Sequence, residues 1–117
     1  MDELPTFGLV YETLVMRDLR IYAEALNGGV RHYRDKNGLE CDAVIHLRDG
    51  RYGLVEVKLG GERLVDEGAS TLNALASLID SKRMKQPSFK MVVTAVGDCA
   101  YTRDDGVVVC PIGALRP

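Results

Sequence analysis

Three charged residues that could act together lie in two apolar segments of this sequence. Glu56 and Lys58 interrupt the segment YGLVEVKLG, and Asp42 lies within LECDAVIHL. Paired carboxylates can bind a divalent cation, because Mg²⁺ takes oxygen ligands and is often held by one or two carboxylates together with phosphate oxygens. A nearby lysine can neutralise part of their charge. These residues therefore predict a polar site, provided that the fold brings the two segments together.

Two predicted β-strands, Leu39–Leu47 and Tyr52–Leu59, must position these residues. Side chains alternate along a strand, so Glu56 and Lys58 point to one face, and the intervening valines point to the other. A three-residue loop at 48–50, with Gly50 in the left-handed conformation, is a common hairpin connection. We prefer it because it aligns one apolar face across both strands, made of Cys41, Ala43, Ile45, Leu47, Val55, Val57 and Leu59.

This register makes Asp42 face Glu56 and Glu40 face Lys58. The Cβ atoms of a directly opposed pair lie roughly 4.5–5.5 Å apart, and like charges at that distance repel. Two interpretations remain open. Either a divalent cation bridges Asp42 and Glu56, or all four residues form a surface charge cluster on a solvated sheet face, with Glu40 paired to Lys58.

The remaining pattern predicts two amphipathic helices and three further strands. The helices are expected over 7–26, with Thr6 as N-cap and a stop at Asn27, and over about 65–84. The strands are expected over 30–35, 89–96 and 107–112, with Pro111 at a sheet edge or strand end. We predict an α+β fold, with three layers and a mixed sheet. It contains an antiparallel three-strand meander, two flanking helices and a strand that returns parallel after the second helix.

Composition limits the classes of function. The chain has 117 residues, enough for a single domain, and its net charge of −2 leaves room for a nucleic-acid site only as a local patch. Its three cysteines suggest neither a disulfide framework nor a zinc site, so we expect a reducing, cytoplasmic compartment, with Cys41 as a small core residue. We expect no membrane association, and no nucleotide hydrolysis through a P-loop, since that motif is absent.

Longer stretches resemble known families. The ordered set of Glu12, Asp42 and Glu56-Val57-Lys58 resembles the PD-(D/E)XK nuclease superfamily. FGLVYETLVMRDL, HYRDKNGLECDAVI and GLVEVKLG resemble the DUF4143-type domain found at the C-terminal end of AAA-type ATPases. The resemblance implies a restriction-endonuclease-like core over residues 1–117, expected to be the C-terminal part of a longer ATPase gene product.

The same resemblance implies the roles of the site residues. Glu12, Asp42, Glu56 and Lys58 are then catalytic, with Asp42 and Glu56 as ligands of Mg²⁺ or Mn²⁺ and Lys58 orienting or deprotonating a water molecule. Two functions follow as expectations. One is a metal-dependent nuclease-like domain acting on nucleic acid, and the other is a catalytically silent module that docks an ATPase domain in cis, a nucleic acid or a second copy of itself.

Overall fold

A computed structural model describes residues 3–34, 40–59, 61–81, 85–95, 97 and 99–112 of the chain; the side chains of residues 3–13, 80 and 81 are outside this description. The chain forms two helices and six strands in these ranges. They are α1 (Glu3–Ala25), β1 (Gly29–Arg34), β2 (Glu40–His46), β3 (Tyr52–Lys58), α2 (Glu62–Ser81), β4 (Phe89–Thr94), β5 (Tyr101–Thr102) and β6 (Val108–Pro111). The dipeptide Asn37-Gly38 predicts a turn at residues 36–38, which lie outside the described residues.

The strands form one mixed sheet in the order β1-β2-β3-β4-β6-β5. The first three strands make the predicted antiparallel meander, and β4 runs parallel to β3 after the α2 crossover. β6 is parallel to β4, and β5 is antiparallel to β6. The sequence pattern predicts a loop from residue 97 through residue 106, and β5 lies within it, because a two-residue strand is too short to show alternation. Pro111 is the last residue of β6, as a strand-end position requires.

The two helices cover opposite faces of the sheet, which gives three layers and two hydrophobic cores. In the α1 core, Val15, Leu19 and Ala23 of the helix pack against Ala43, Ile45, Val55, Val57, Met91, Val93 and Cys110. In the α2 core, Val65, Ala69, Leu72 and Leu75 pack against Cys41, Leu54, Val92, Val107 and Val109. The sequence indicated one core face, but both faces of the central strands are buried. The α+β fold with a mixed sheet is confirmed.

Both ends of α1 follow from local chemistry. The prediction that Thr6 caps the helix is wrong, since the helix begins at Glu3 and includes Pro5 in its first turn. Proline is tolerated there because the first N–H groups of a helix lack intrahelical partners. At the other end, Gly28 N–H donates to the Ala23 carbonyl at 2.8 Å, and Asn27 adopts a φ of 61°. This is a Schellman arrangement with asparagine in the left-handed position.

The β2–β3 hairpin has the predicted register. Leu47 N–H donates to the Arg51 carbonyl at 2.7 Å, and Gly50 N–H donates back to the Leu47 carbonyl at 3.1 Å. Gly50 has a φ of 95°, as the three-residue loop requires. Ala43 is paired with Val55, so the same register places Asp42 opposite Glu56.

A bulge in β2 changes the direction of one predicted core residue. Between the pairs Arg31–Val44 and Tyr33–Cys41 the register shifts, because β2 contains one more residue than β1 there. A bulge breaks the alternation of side chains along the strand. The prediction that Cys41 shares a face with Ala43 is therefore wrong, since Cys41 packs in the α2 core and Ala43 in the α1 core. Cys41 is nevertheless fully buried, as expected of a core residue.

Candidate functional site

Glu56 and Lys58 lie on the face of β3 that α2 covers. A Cβ atom added at Gly68 would lie 3.5 Å from Glu56 Cβ, 3.4 Å from Lys58 Cγ and 3.1 Å from Val92 Cγ2. The helix backbone therefore passes directly above the two charged side chains. A larger residue at position 68 would force the helix away from the sheet or crowd Val92, so glycine permits this close approach.

The carboxylates of Asp42 and Glu56 are held by two hydrogen bonds that cross between β2 and β3. The Asp42 backbone N–H donates to Glu56 Oε2 at 2.9 Å, and the Val57 backbone N–H donates to Asp42 Oδ2 at 2.8 Å. Each carboxylate thus accepts a hydrogen bond from a backbone N–H of the other strand. Together these bonds fix both side chains at the point where the β2–β3 ladder ends, and they bring the two predicted ligands side by side.

The Glu56 carboxyl group is removed from solvent. Its residue is only 6% exposed, and most of the other buried side chains are apolar. Burial, reinforced by the neighbouring Asp42 charge, raises the pKa of Glu56 to about 7; the Asp42 backbone hydrogen bond and the Lys58 charge act in the opposite direction. Glu56 therefore changes its protonation near neutral pH, unlike an ordinary glutamate.

The interpretation as a solvated charge cluster is wrong, because α2 covers this face of the sheet. The expected ion pair between Glu40 and Lys58 does not form among the residues that the structure describes. Glu40 Oε2 instead lies 2.9 Å from Arg34 Nε, its register partner in β1. Within the described part of the chain, no carboxylate forms an ion pair with Lys58, which is half-buried. Its ammonium group is not committed to a structural salt bridge there.

The chemistry of the donor set fits a divalent cation with oxygen preference. The two hydrogen bonds use one oxygen of each carboxylate, and the second oxygen of Asp42 and of Glu56 is not used by them. Two carboxylates suit Mg²⁺ or Mn²⁺ bound together with substrate oxygens and water. Among the described side chains, no group of three or more His, Cys, Asp or Glu residues could hold a metal ion. Glu12 lies on α1 as predicted, but its side chain is outside the description.

One contributor to the site was not predicted from the sequence. Gly68 lies in the middle of α2, and a glycine inside an amphipathic helix is itself a signal of close packing. That signal identifies the position but not the partner, because the position of α2 over β3 depends on the whole sheet. The covering of Glu56 therefore could not be predicted from local pattern alone.

The fold and the site define an α+β domain with a carboxylate pair, of which Glu56 is buried and Asp42 partly buried, and an adjacent lysine on a mixed sheet. Residues 7–115 match the family described as a domain of unknown function (DUF4143), and the chain belongs to this family. No curated protein and no solved structure matches the chain. In the described ranges, neither helix combines the length and the apolar character that crossing a membrane requires.

Proposed function

We propose that this domain is a metal-dependent nuclease-like domain of the PD-(D/E)XK type, with a restriction-endonuclease-like core, that acts on nucleic-acid phosphodiesters. One observation carries the proposal. Asp42 and Glu56 face each other across two strands, each carboxylate accepts a backbone N–H of the other strand, and Lys58 lies on the same face of β3 as Glu56. The resemblance of FGLVYETLVMRDL, HYRDKNGLECDAVI and GLVEVKLG to domains at the C-terminal end of AAA-type ATPases supports association with such an ATPase as the proposed cellular context. The cysteine usage supports the cytoplasm as its compartment.

In this proposal the carboxylates of Asp42 and Glu56 would hold Mg²⁺ or Mn²⁺. The resemblance also implies Glu12 as a further catalytic residue, but α1 covers the sheet face opposite to Glu56 and Lys58, so Glu12 would have to act from across the sheet. Bound by the two carboxylates, the cation would polarise a phosphodiester and lower the pKa of a bound water. Lys58 orients that water or takes its proton, a role that suits a lysine in a partly desolvated site. The hydrogen bonds to the strand backbone keep both carboxylates in place without further ordering on substrate binding.

A cleavage assay with two variants tests this function. Purified protein is incubated with single-stranded and duplex DNA and RNA, with Mg²⁺ or Mn²⁺ added. Lys58→Ala should lower the cleavage rate ~10²–10⁴-fold, the usual contribution of a positioned acid or base. It should change the free energy of unfolding by less than about 1 kcal/mol, since this side chain has no ion pair among the described residues and lies outside both apolar cores.

Val57→Ala is the matched control, because Val57 is the intervening residue and faces the α1 core. It should lose ~1–3 kcal/mol of stability through a cavity, while the remaining folded protein cleaves normally. Cleavage that survives in Lys58→Ala would assign the activity to another site or to a contaminant.

The second candidate function is a catalytically silent module that docks an ATPase domain in cis, a nucleic acid or a second copy of the chain. The burial of Glu56 beneath α2 favours it, because a substrate phosphate must reach a carboxylate that is only 6% exposed. In that case the carboxylate pair serves to fix the strands. Absence of cleavage by the wild-type protein on every substrate with either metal would select this function.

A further inference from the structure

A small cavity lies beside the proposed catalytic site. It has a volume of about 160 Å³ and lies between the first turn of α2, the ends of β4 and β6, and β5. Its lining includes Glu62, Val65, Thr94, Cys99, Tyr101 and Pro111. The cavity thus opens at the carboxyl ends of the parallel strands, where ligands commonly bind in sheets flanked by helices.

The sheet register fixes the position of this cavity relative to Lys58. Thr94, which lines the cavity, is the register partner of Lys58, and Pro111 is the partner of Thr94 in the next strand. Register partners in neighbouring strands point to the same face and lie about 5 Å apart. The cavity therefore lies one to two strand spacings from the proposed cleavage point, on the same side of the sheet.

The size and charge of the cavity limit what it can receive. Drug-sized ligands occupy pockets of ~300–1,000 Å³, so about 160 Å³ suits a single ring system rather than a larger molecule. The charged residue among its described lining residues is Glu62, which would repel a phosphate. An uncharged planar ring therefore fits better than an anion.

Tyr101 supplies a stacking surface for such a ring. The residue is 53% exposed and forms part of the cavity wall. Aromatic side chains of this kind stack nucleic-acid bases with little dependence on sequence.

Ion pairs and a hydrogen bond hold the cavity wall that contains Tyr101 against α2. Arg103 directly follows β5, and its Nη1 lies 2.6 Å from Asp66 Oδ1 on α2 while its Nε lies 3.3 Å from Asp105 Oδ1. Asn73 of α2 donates to Asp105 at 3.0 Å. These contacts order the wall before any ligand binds, which lowers the entropic cost of binding.

We propose that this cavity receives one nucleobase of a single-stranded nucleic acid, next to the phosphodiester that the carboxylate site acts on, with the base stacked on Tyr101. The inference rests on the proposed nuclease-like function for its substrate class. A base inside a duplex cannot enter unless it leaves its stack, so single strands are preferred over duplexes.

The first test measures binding without divalent metal, so that it does not depend on cleavage. Fluorescence anisotropy compares a labelled single strand, its duplex and an abasic strand with the same phosphates. The single strand should bind most tightly, and Tyr101→Ala should raise its Kd ~5- to 150-fold. Ile21→Ala is the matched control, because Ile21 is also 53% exposed but lies on α1, across the sheet. It should leave the Kd unchanged.

The second test uses a thiol that the protein already contains, so it needs no variant. Cys99 lines the cavity and is exposed, whereas Cys41 and Cys110 are buried. Burial also raises the pKa of both buried thiols, so a maleimide should label Cys99 first. A saturating single strand should slow this labelling at least about 10-fold, and the abasic strand should not.

Equal binding of the base-containing and abasic strands, or an unchanged labelling rate at saturation, would overturn the inference. Absence of binding to any strand would overturn it too. The proposed function is judged separately: cleavage that is lost in Lys58→Ala but unaffected by Tyr101→Ala would keep the function and remove the base site. If Tyr101→Ala does not fold, the labelling of the wild-type protein decides alone.

Discussion

Replacing Glu56 by glutamine should make the domain more stable at alkaline pH and should remove part of its pH dependence. Glutamine has nearly the same shape, and its side-chain oxygen can still accept the Asp42 backbone N–H. It cannot ionise, so the variant avoids placing a second negative charge beside Asp42 in a site with only 6% exposure. The substitution therefore isolates the cost of ionising Glu56.

The raised pKa of Glu56 sets the magnitude. A folded-state pKa of about 7, against 4.5 for an ordinary glutamate, means that the folded protein holds the proton more tightly than the unfolded chain does. The stability that protonation of Glu56 contributes is complete below pH 4.5 and is lost as pH rises to about 7. At ~1.4 kcal/mol per pKa unit, the loss is at most about 3.5 kcal/mol. Above pH 7.5 the variant should exceed the wild type by up to that amount.

Urea unfolding in a metal-free buffer containing a chelator, at intervals from pH 4 to pH 8.5, measures the effect. Glu40→Gln is the control, because Glu40 is an exposed glutamate of the neighbouring strand and pairs with Arg34. Removing that surface pair should change stability by less than about 1 kcal/mol. Wild type and Glu56→Gln with the same pH profile would refute the argument that burial and Asp42 penalise the Glu56 charge.

Three further results are expected. Millimolar Mg²⁺ or Mn²⁺ should raise the Tm of the wild type, because a ligand that binds only the folded state stabilises it by mass action. Asp42→Asn should abolish this rise, although asparagine retains an acceptor for the Val57 backbone N–H. Equal Tm values with and without metal would argue against a preformed site. Lys58→Ala should lose cleavage activity but keep its stability, and Val57→Ala should lose stability but keep its activity when folded. The reverse pattern would contradict the placement of Lys58 on the α2 face of β3 and of Val57 on the α1 face. Gly53→Val should lower the free energy of unfolding by ~1–3 kcal/mol, because a Cβ atom there would lie 2.1–2.4 Å from the Phe89 ring. An unchanged Tm would show that the ring moves away without cost.

The sequence predicts those features of the site that depend on neighbouring strands. The apolar faces of β2 and β3 match in one register only, so the loop ending at Gly50 and the approach of Asp42 to Glu56 could be predicted. That Cys41 faces the α2 core could not be predicted, because the bulge depends on how β1 and β2 pair and cannot be read from the alternation of either strand. The burial of Glu56 was missed for a similar reason, since it depends on where Gly68 allows α2 to settle.

The two edges of the sheet differ in a way that limits how copies of this protein can associate. β5, at one edge, has two residues, too few to pair stably with a strand from another molecule. β1, at the other edge, has exposed side chains at Arg31 and Arg34, and charged side chains on an edge strand oppose strand addition between like molecules. Extension of the sheet from one molecule to the next, the usual route to fibrous aggregates, is therefore disfavoured at both ends. A second copy would dock more readily on a helix face, such as the outer side of α1, where Leu14 and Ile21 are exposed.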